Sequence, residues 1–198
     1  YNMTTKNIWE TRYKNGGNSG SGSYNELCEF KNNILNTFIS ENHINSIIDF
    51  GCGDCNQIKN VPIENYIGLD ISEYIIQTHN DTYKDDSSKS FLVYDDKTNY
   101  TIKSDVTLSL DVLYHILEDN LFITYLQHLF TCSTKHVIIY SSNFEGHSQG
   151  HMKTRKFTDH VEKLFPNWKL TSFIKQKYPK KSSADFYIYT LQDNADTK

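Results

Sequence analysis

The 198-residue sequence lacks the features of extracellular, membrane-spanning and polyanion-binding proteins. Its four cysteines do not provide a disulfide framework for a chain of this length, so free thiols in a reducing compartment are expected. No run approaches about 18 consecutive apolar residues, and no charged-then-apolar order at the N-terminus indicates secretion. The formal net charge of −4 gives no overall positive field for nucleic acid. We therefore expect a cytoplasmic protein, or one in the host cytoplasm if the source is viral.

Apolar spacing alternates between helical and strand patterns from residue 26 onward, and no internal repeat is visible. The predicted helices are Glu26–Ser40, a stretch capped by Ser72 and running to about Asn80, Glu118–Phe130 and Thr158–Phe165. The predicted strands are Ile44–Phe50, Tyr66–Asp70, Phe91–Tyr94, Asp105–Leu110, Val137–Tyr140, Trp168–Lys175 and Ala184–Leu191. This order predicts an α/β fold with a doubly wound, mostly parallel sheet that ends in an antiparallel hairpin.

Residues 1–23 differ from the rest of the chain. Trp9, Arg12 and Tyr13 precede a Gly/Ser-rich run at residues 16–23, which as a peptide is flexible. A plain linker would not need the aromatic and cationic residues before it. The predicted organisation is an N-terminal lid or flexible segment over residues 1–23 and a single domain over residues 24–198.

Glycines and acids stand at the ends of the predicted strands, where a doubly wound sheet binds its ligand. Gly51 and Gly53 allow a sharp turn and a close approach of the backbone to a bulky ligand. Asp70 follows Gly51 by 19 residues, where a carboxylate can accept hydrogen bonds from ribose hydroxyls. A nicotinamide fingerprint would require glycine at Asn56, so that cofactor is not indicated.

Four ordered segments resemble the successive motifs of class I S-adenosylmethionine-dependent methyltransferases: Asp49–Asp54 (DFGCGD), Tyr66–Ser72 (YIGLDIS), Phe91–Asp96 (FLVYDD) and Asp105–Asp111 (DVTLSLD). The resemblance covers roughly residues 44–140. It implies a seven-stranded sheet with an antiparallel terminal strand, S-adenosylmethionine as cofactor and S-adenosylhomocysteine as product.

The resemblance also implies roles for single residues. Asp49, Gly51 and Gly53 would form the cofactor loop, Asp70 would meet the adenosine ribose, and Asp95 or else Asp96 the adenine amino group. The remaining cofactor contacts implied within these segments are Ile71, Leu110 and Asp111. Many family members have a third glycine where Cys55 stands, so we expect a bulkier loop beside the methionine end.

Trp9, Arg12 and Tyr13 are similar to a segment with which many small-molecule methyltransferases cover the cofactor, with the arginine meeting the cofactor carboxylate. The Gly/Ser-rich run would then act as a hinge or cradle that helps to exclude water. The alternative is a disordered tail.

Candidate catalytic residues follow the fourth and fifth strands. Asp111 and His115 are four residues apart, so one helical turn would place them on a shared face. A histidine with a pKa near its usual value of about 6.5 can take a proton from a hydroxyl acceptor near neutral pH. A structural role for His115 is the alternative, and His151 is a further catalytic candidate.

The segment after the fifth strand supplies the candidate acceptor-binding residues, which with His115 are Asn143, His147, His151 and Arg155. An exposed loop is the alternative. His147 and His151 have the spacing of a metal-ligand pair, but no carboxylate or cysteine accompanies them, and no metal is expected. Cys52 and Cys55 form a C-x-x-C pair, which can be read as a zinc knuckle, a thioredoxin-like motif or two free thiols. A knuckle would need a second ligand pair, and free thiols are favoured.

Three functional hypotheses result. The first is O-methylation of a small polar acceptor such as a sugar, a nucleotide-linked sugar or a glycan end, since there is no inserted recognition domain. The second is an RNA or protein methyltransferase, for which the lysines within residues 175–181 are the clustered candidates. The Asn/Asp-Pro-Pro-aromatic motif of many amino-directed nucleic-acid enzymes is missing from residues 109–114. The third is a non-catalytic binding subunit, and the oligomeric state is left open.

Overall fold

A twisted sheet with helices on both faces positions every candidate residue. The computed structural model describes residues 4–192. The described α-helices are α1 (Thr5–Lys14), α2 (Asn25–Glu41), α3 (Glu73–Thr82), α4 (Asp119–Thr131) and α5 (Phe157–Leu164). The strands are β1 (Ser46–Phe50), β2 (Asn65–Asp70), β3 (Lys89–Val93), β4 (Ser104–Leu110), β5 (Ser133–Ser141), β6 (Ser148–Gln149), β7 (Met152–Lys153), β8 (Trp168–Ile174) and β9 (Asp185–Leu191).

Seven strands form the main sheet in the order β3-β2-β1-β4-β5-β9-β8. Strands β1 to β5 pair in parallel, and β9 is inserted antiparallel between β5 and β8. The predicted doubly wound, mostly parallel sheet with an antiparallel last strand is therefore confirmed. Strands β6 and β7 form a separate small hairpin.

Alternating residues of the central strands feed two cores, one on each face of the sheet. Ile47 points into the core shared with α2 and α3, and its neighbour Ile48 points into the core shared with α4 and α5. Both side chains are almost fully buried. Because both faces are covered, the middle strands contain short buried runs rich in β-branched residues, such as residues 47–48 and 137–139, which is why their positions could be predicted.

Element ends agree with the sequence pattern where a local signal marks them. Ser72 caps α3 as predicted, since its hydroxyl accepts a hydrogen bond from the backbone N–H of Ile75 at 3.3 Å. Strand β5 begins four residues before the predicted Val137, in a polar stretch whose ladder partner is the start of β4. The β6–β7 hairpin and helix α1 were not predicted, because neither carries apolar periodicity of its own. No helix within residues 4–192 combines the length and apolar character needed to cross a bilayer.

Candidate active site

A cavity of about 670 Å³, open mouth included, lies at the carboxyl ends of the central strands. This is the point where the strand order reverses: the chain runs outward from β1 to β2 and β3 on one side, and from β4 to β5 on the other. The structure brings nine of the predicted site residues into its lining: Trp9, Tyr13, Gly51, Gly53, Asp70, Ile71, Leu110, Asp111 and His115.

The glycine loop after β1 forms the floor of this cavity. Gly51 and Gly53 both have positive φ angles, of 79° and 53°, which side chains rarely allow. A Cβ on Gly53 would also lie 2.2 Å from the hydroxyl oxygen of Ser19, and one on Gly51 would lie 2.4 Å from the side chain of Val112. Glycine is therefore required at both positions by conformation and by space.

Asp70 ends β2 with both carboxylate oxygens directed at backbone N–H groups. Oδ2 accepts a hydrogen bond from Gly53 at 3.0 Å, and Oδ1 accepts one from Ser72 at 2.9 Å. Burial raises the pKa of Asp70 to about 6, against these two hydrogen bonds, which lower it. The carboxylate is thus ionised at neutral pH, fixed in orientation, and in contact with the cavity.

Asp49, in contrast, points into the core and lies outside the cavity lining. Its Oδ2 accepts a hydrogen bond from the Tyr66 hydroxyl at 2.8 Å. Burial raises the pKa of Asp49 to about 7 despite that bond. Asp49 therefore does not contact the cavity; it supports the cofactor loop only by its hydrogen bond between β1 and β2.

At the end of β3, the lining residue is Tyr94 and neither of the two predicted acids. Asp95 and Asp96 are exposed, and Asp95 accepts hydrogen bonds from Lys97 and Thr98 within a turn of its own. Neither acid reaches the cavity lining, so the predicted adenine contact stays a prediction. The tyrosine ring is the group at the end of this strand that lines the cavity.

Asp111 follows β4 in a left-handed conformation with a φ of 61°. Its Oδ2 lies 2.5 Å from Nζ of Lys31, and its Oδ1 accepts a hydrogen bond from the Tyr114 hydroxyl at 2.8 Å. The side chain of Lys31 is fully buried, and its ammonium also lies 4.8 Å from the centroid of the Tyr140 ring. A buried lysine thus holds the Asp111 carboxylate at the cavity wall.

The left-handed Asp111 does not share a helical turn with His115, contrary to the prediction; His115 instead ends the 3₁₀ turn Leu113–His115, with its ring between those of Trp9 and His151. The Trp9 ring meets it edge-on at 5.0 Å, and the His151 ring stacks on it at 5.1 Å. Its Nδ1 lies 3.1 Å from the His151 carbonyl oxygen, which can only accept, so Nδ1 carries the proton and Nε2 keeps the lone pair. Burial lowers the pKa of His115 to about 4, so the ring is neutral at physiological pH but is a weaker base than the imidazole of pKa about 6.5 that the sequence led us to expect.

The other predicted acceptor-binding residues lie outside the lining. The Asn143 side chain bonds both the hydroxyl and the backbone N–H of Thr158, at the start of α5. Arg155 is buried and donates to the carbonyls of Ile116 and Leu117 and to the Asp119 carboxylate. Its guanidinium is therefore engaged in structural hydrogen bonds outside the cavity lining, so a contact with the acceptor is not seen and stays a prediction.

The two loop histidines differ from each other in position. His147 is exposed on the β6–β7 hairpin, where its backbone pairs with Thr154. His151 is exposed but stacks on His115, so it lies beside the cavity. The two imidazoles do not belong to any candidate metal cluster within residues 4–192.

Residues 4–23 form helix α1 and a loop that is hydrogen bonded to three strand-end loops. Thr5 bonds both oxygens of Glu118, Glu10 accepts from Ser72, and Ser19 exchanges two hydrogen bonds with Asp54. The predicted flexible segment therefore has a defined conformation here, while a lid role stays a prediction.

Within that segment, the three residues predicted to cover the cofactor differ in position. Trp9 and Tyr13 line the cavity. Arg12 instead donates to the carbonyl of Asn18 at 2.5 Å and lies 5.5 Å from the Trp9 ring. It stabilises the Gly/Ser-rich loop from outside the cavity lining.

Several lining residues were missed by the sequence analysis, and Gln57 is the most informative. Its side chain is buried, its amide nitrogen reaches the Leu110 carbonyl at 3.5 Å, and its Oε1 has no hydrogen-bond partner among the described residues. A buried oxygen without a partner costs free energy unless a ligand or water donates to it. Its position in a short 3₁₀ turn after the glycine loop gave no periodic signal.

The thiols are free, as expected, and all four are buried. Cys55 adopts a left-handed conformation, with a φ of 60°, at the position where many family members have glycine. Its side chain packs into the core with Sγ 3.4 Å from Nε2 of His79 and lies outside the cavity lining. The expected bulkier loop beside the cavity is therefore not found, because the thiol points away from it.

Comparison with known proteins gives a fold and no close relative. No protein-family model matches the chain, and no curated protein matches it. Among solved structures, the N-methyltransferase NodS from Bradyrhizobium japonicum WM9, in complex with S-adenosyl-L-homocysteine, has a TM-score of 0.72 at 14% identity over 96% of this chain and 100% of that one.

Two further structures match over most of their length. The methyltransferase domain of bacterial CtHen1 has a TM-score of 0.68 at 18% identity, covering 85% of this chain and 100% of that one. Magnesium protoporphyrin IX methyltransferase from Synechocystis PCC 6803, with bound S-adenosylhomocysteine, has a TM-score of 0.67 at 13% identity, covering 94% and 98%. Strand order, the cavity at the switch point and these likenesses agree: the chain has the class I S-adenosylmethionine-dependent methyltransferase fold.

Proposed function

We propose that this protein is an S-adenosylmethionine-dependent methyltransferase that O-methylates a small polar acceptor, such as a sugar, a nucleotide-linked sugar or a glycan end. The observation that carries the proposal is the meeting of Asp70, the glycine loop and a neutral His115 around one cavity. Structures of the same fold that hold S-adenosylhomocysteine support the choice of cofactor.

The residues present fit that cofactor. Each carboxylate oxygen of Asp70 accepts one backbone hydrogen bond, which leaves a lone pair on each for a ribose hydroxyl. Gln57 Oε1 is a buried acceptor in the lining, suited to an ammonium group of the methionine part. Tyr94 offers an aromatic face at the end of β3, where the adenine would lie.

When bound, the cofactor supplies an electrophilic methyl group on a sulfonium. The protein's part is to align the acceptor oxygen and to remove its proton. We assign the proton to Nε2 of His115, whose other nitrogen is committed to the His151 carbonyl. The Asp111 carboxylate, held by Lys31 and Tyr114, lines the same cavity and would stabilise the imidazolium that forms.

The choice of a small polar acceptor depends on the cavity mouth. Trp9 and His115 form one wall, and the exposed His151 extends it toward solvent. The lysines of residues 175–181 lie in and beside the loop between β8 and β9, and none of them lines the described cavity. This arrangement favours a compact hydrophilic acceptor over RNA or a protein surface.

The test begins with calorimetric titration of the purified protein with S-adenosylmethionine and S-adenosylhomocysteine. An acceptor screen on sugars, nucleotide sugars and short RNAs follows, with His115→Ala as the matched variant. We expect micromolar cofactor binding by both proteins and turnover on a hydroxyl acceptor only by the wild type. Cofactor binding without turnover on any acceptor would favour a binding subunit, turnover on RNA would favour the second hypothesis, and full activity of His115→Ala would remove the assigned base.

A further inference from the structure

Behind the glycine loop, on the side away from the cavity, three metal-ligating side chains converge. These are Cys52 and Cys55 of the loop and His79 of α3, with exposed fractions of 6%, 3% and 5%. Their ligand atoms, two sulfurs and one imidazole nitrogen, all lie within 4.8 Å of one another. The proposed methyl transfer uses none of them.

The local fold directs all three atoms to one point. The C-x-x-C turn encloses Gly53, and the left-handed conformation of Cys55 turns its thiol back toward Cys52. Helix α3 starts at its Ser72 cap and presents His79 on the same buried face as Ile75 and Ile76. The result is 3.4 Å between Cys55 Sγ and His79 Nε2.

The surroundings keep solvent out and add a further oxygen donor. Aromatic rings of Phe91 and Tyr83 pack on His79 at centroid distances of 4.8 Å and 6.0 Å. The carbonyl oxygen of Gly53 lies 2.7 Å from His79 Nε2. Two sulfurs and one nitrogen therefore converge in a buried place, with the Gly53 carbonyl oxygen beside the nitrogen.

We propose that Cys52, Cys55 and His79 bind one Zn²⁺ ion in a closed structural site, with the Gly53 carbonyl as the fourth donor. Zinc bonds of about 2.3 Å to sulfur and about 2.0 Å to nitrogen place tetrahedral ligand atoms about 3.5 Å apart, within the spread of the three side-chain atoms. The Gly53 carbonyl would give up its hydrogen bond with Nε2 and move outward to reach that spacing. Both thiols lose a proton on binding, His79 moves its remaining proton to Nδ1, and no electrons are exchanged.

A redox disulfide is the competing use of a C-x-x-C pair, and the burial of both sulfurs opposes it. Disulfide exchange needs a thiolate that a partner can reach, and the Cys52 and Cys55 thiols are nearly inaccessible. A metal ion uses all three groups and fixes the loop that carries Gly51 and Gly53.

The experiment uses the full chain, reduced and stripped of metal with a chelator, and titrates Zn²⁺ against a chromophoric competitor, with native mass spectrometry as a second measure. We expect one tightly bound equivalent, weakened at least about 10-fold in Cys52→Ser, Cys55→Ser and His79→Gln. Cys28→Ser and Cys132→Ser are the matched controls, because both are buried free thiols outside the cluster, and they should retain the ion.

Cobalt substitution in the wild-type chain keeps the test decisive if a serine variant fails to fold. A thiolate-to-cobalt charge-transfer absorption at one equivalent supports the site. Absence of a bound equivalent in the wild type overturns the proposal, as does equal loss in the two control variants. A Cys52–Cys55 disulfide formed by mild peroxide in protein that takes up no zinc would identify a redox pair instead. These readouts are independent of methyl transfer, so the two proposals fail separately.

Discussion

Replacing Lys31 by methionine tests the buried ion pair that fixes Asp111. The Lys31 side chain has no exposed surface, and that of Asp111 is 12% exposed. The variant would leave the largely buried Asp111 carboxylate without its cationic partner, although the hydrogen bond from Tyr114 would remain. Breaking one side of a buried pair costs about 3–5 kcal/mol. We expect about 3 kcal/mol, the lower end, because Asp111 reaches the cavity and its water.

Urea unfolding followed by circular dichroism measures this loss, and thermal unfolding should show a fall of roughly 6–12 °C for a domain of this size. Lys135→Met is the matched control, since Lys135 pairs with Asp105 at 2.8 Å but is 48% exposed, and its loss should cost less than about 1 kcal/mol.

A double-mutant cycle with Asp111→Asn separates the pair from the packing of the lysine stem. The double variant should be more stable than the sum of the single losses predicts, because no unpaired charge remains. A Lys31→Met loss no greater than that of the control, or strictly additive losses in the cycle, would refute the assignment of Lys31 as the residue that holds Asp111.

Three further predictions concern the cavity. Asp70→Ala should weaken S-adenosylmethionine binding by about 3 kcal/mol in calorimetry, the scale of two charged hydrogen bonds, whereas Asp96→Ala should not change it; equal affinities would contradict the ribose contact. Gly53→Ala should lower the free energy of unfolding in urea more than Gly16→Ala, since both have positive φ but only Gly53 lacks room for a methyl group, and equal losses would argue against the packing of the loop. His115 has a pKa of about 4 in the folded state and about 6.5 in the unfolded state, so it lowers the free energy of unfolding as pH falls from 6.5 to 4. Unfolding curves across that range should show that His115→Gln loses up to about 3 kcal/mol less of this free energy than the wild type. Parallel pH profiles would count against the buried neutral ring.

The sheet could be predicted because its central strands are buried on both faces and carry a local signal in their β-branched runs. Gly51, Asp70 and Asp111 could be assigned to one site because parallel strands end at the same edge, whatever the loops do. The same reasoning did not anticipate that the Asp95 side chain bonds within its own turn, or that Arg155 bonds groups far away in sequence, so both lie outside the cavity lining.

Some missed residues did leave a trace in the sequence. Lys31 lies midway between Leu27 and Leu35 on the apolar face of α2, four residues from each, and a lysine there needs a buried partner. His79 follows Ile75 and Ile76 on the buried face of α3 in the same way. Neither partner could be identified, because Asp111 and the two loop thiols approach from other elements. Helix α1 left only its end signals, the Thr4 cap and the basic residues Arg12 and Lys14 of its last turn, which without apolar periodicity do not predict a helix.

Helix α1 and the loop that follows it form hydrogen bonds with three loops that are far apart in the chain. Thr5, Glu10 and Ser19 each bond a different loop, following β4, β2 and β1 respectively. The bonds to the carboxylates of Glu118, Glu10 and Asp54 contribute about 1.5–3 kcal/mol each, and the buried ring of Tyr13 provides the apolar part of the contact. A movement of residues 4–23 would therefore displace all three loops at once, so that the cavity walls formed by these loops would move together.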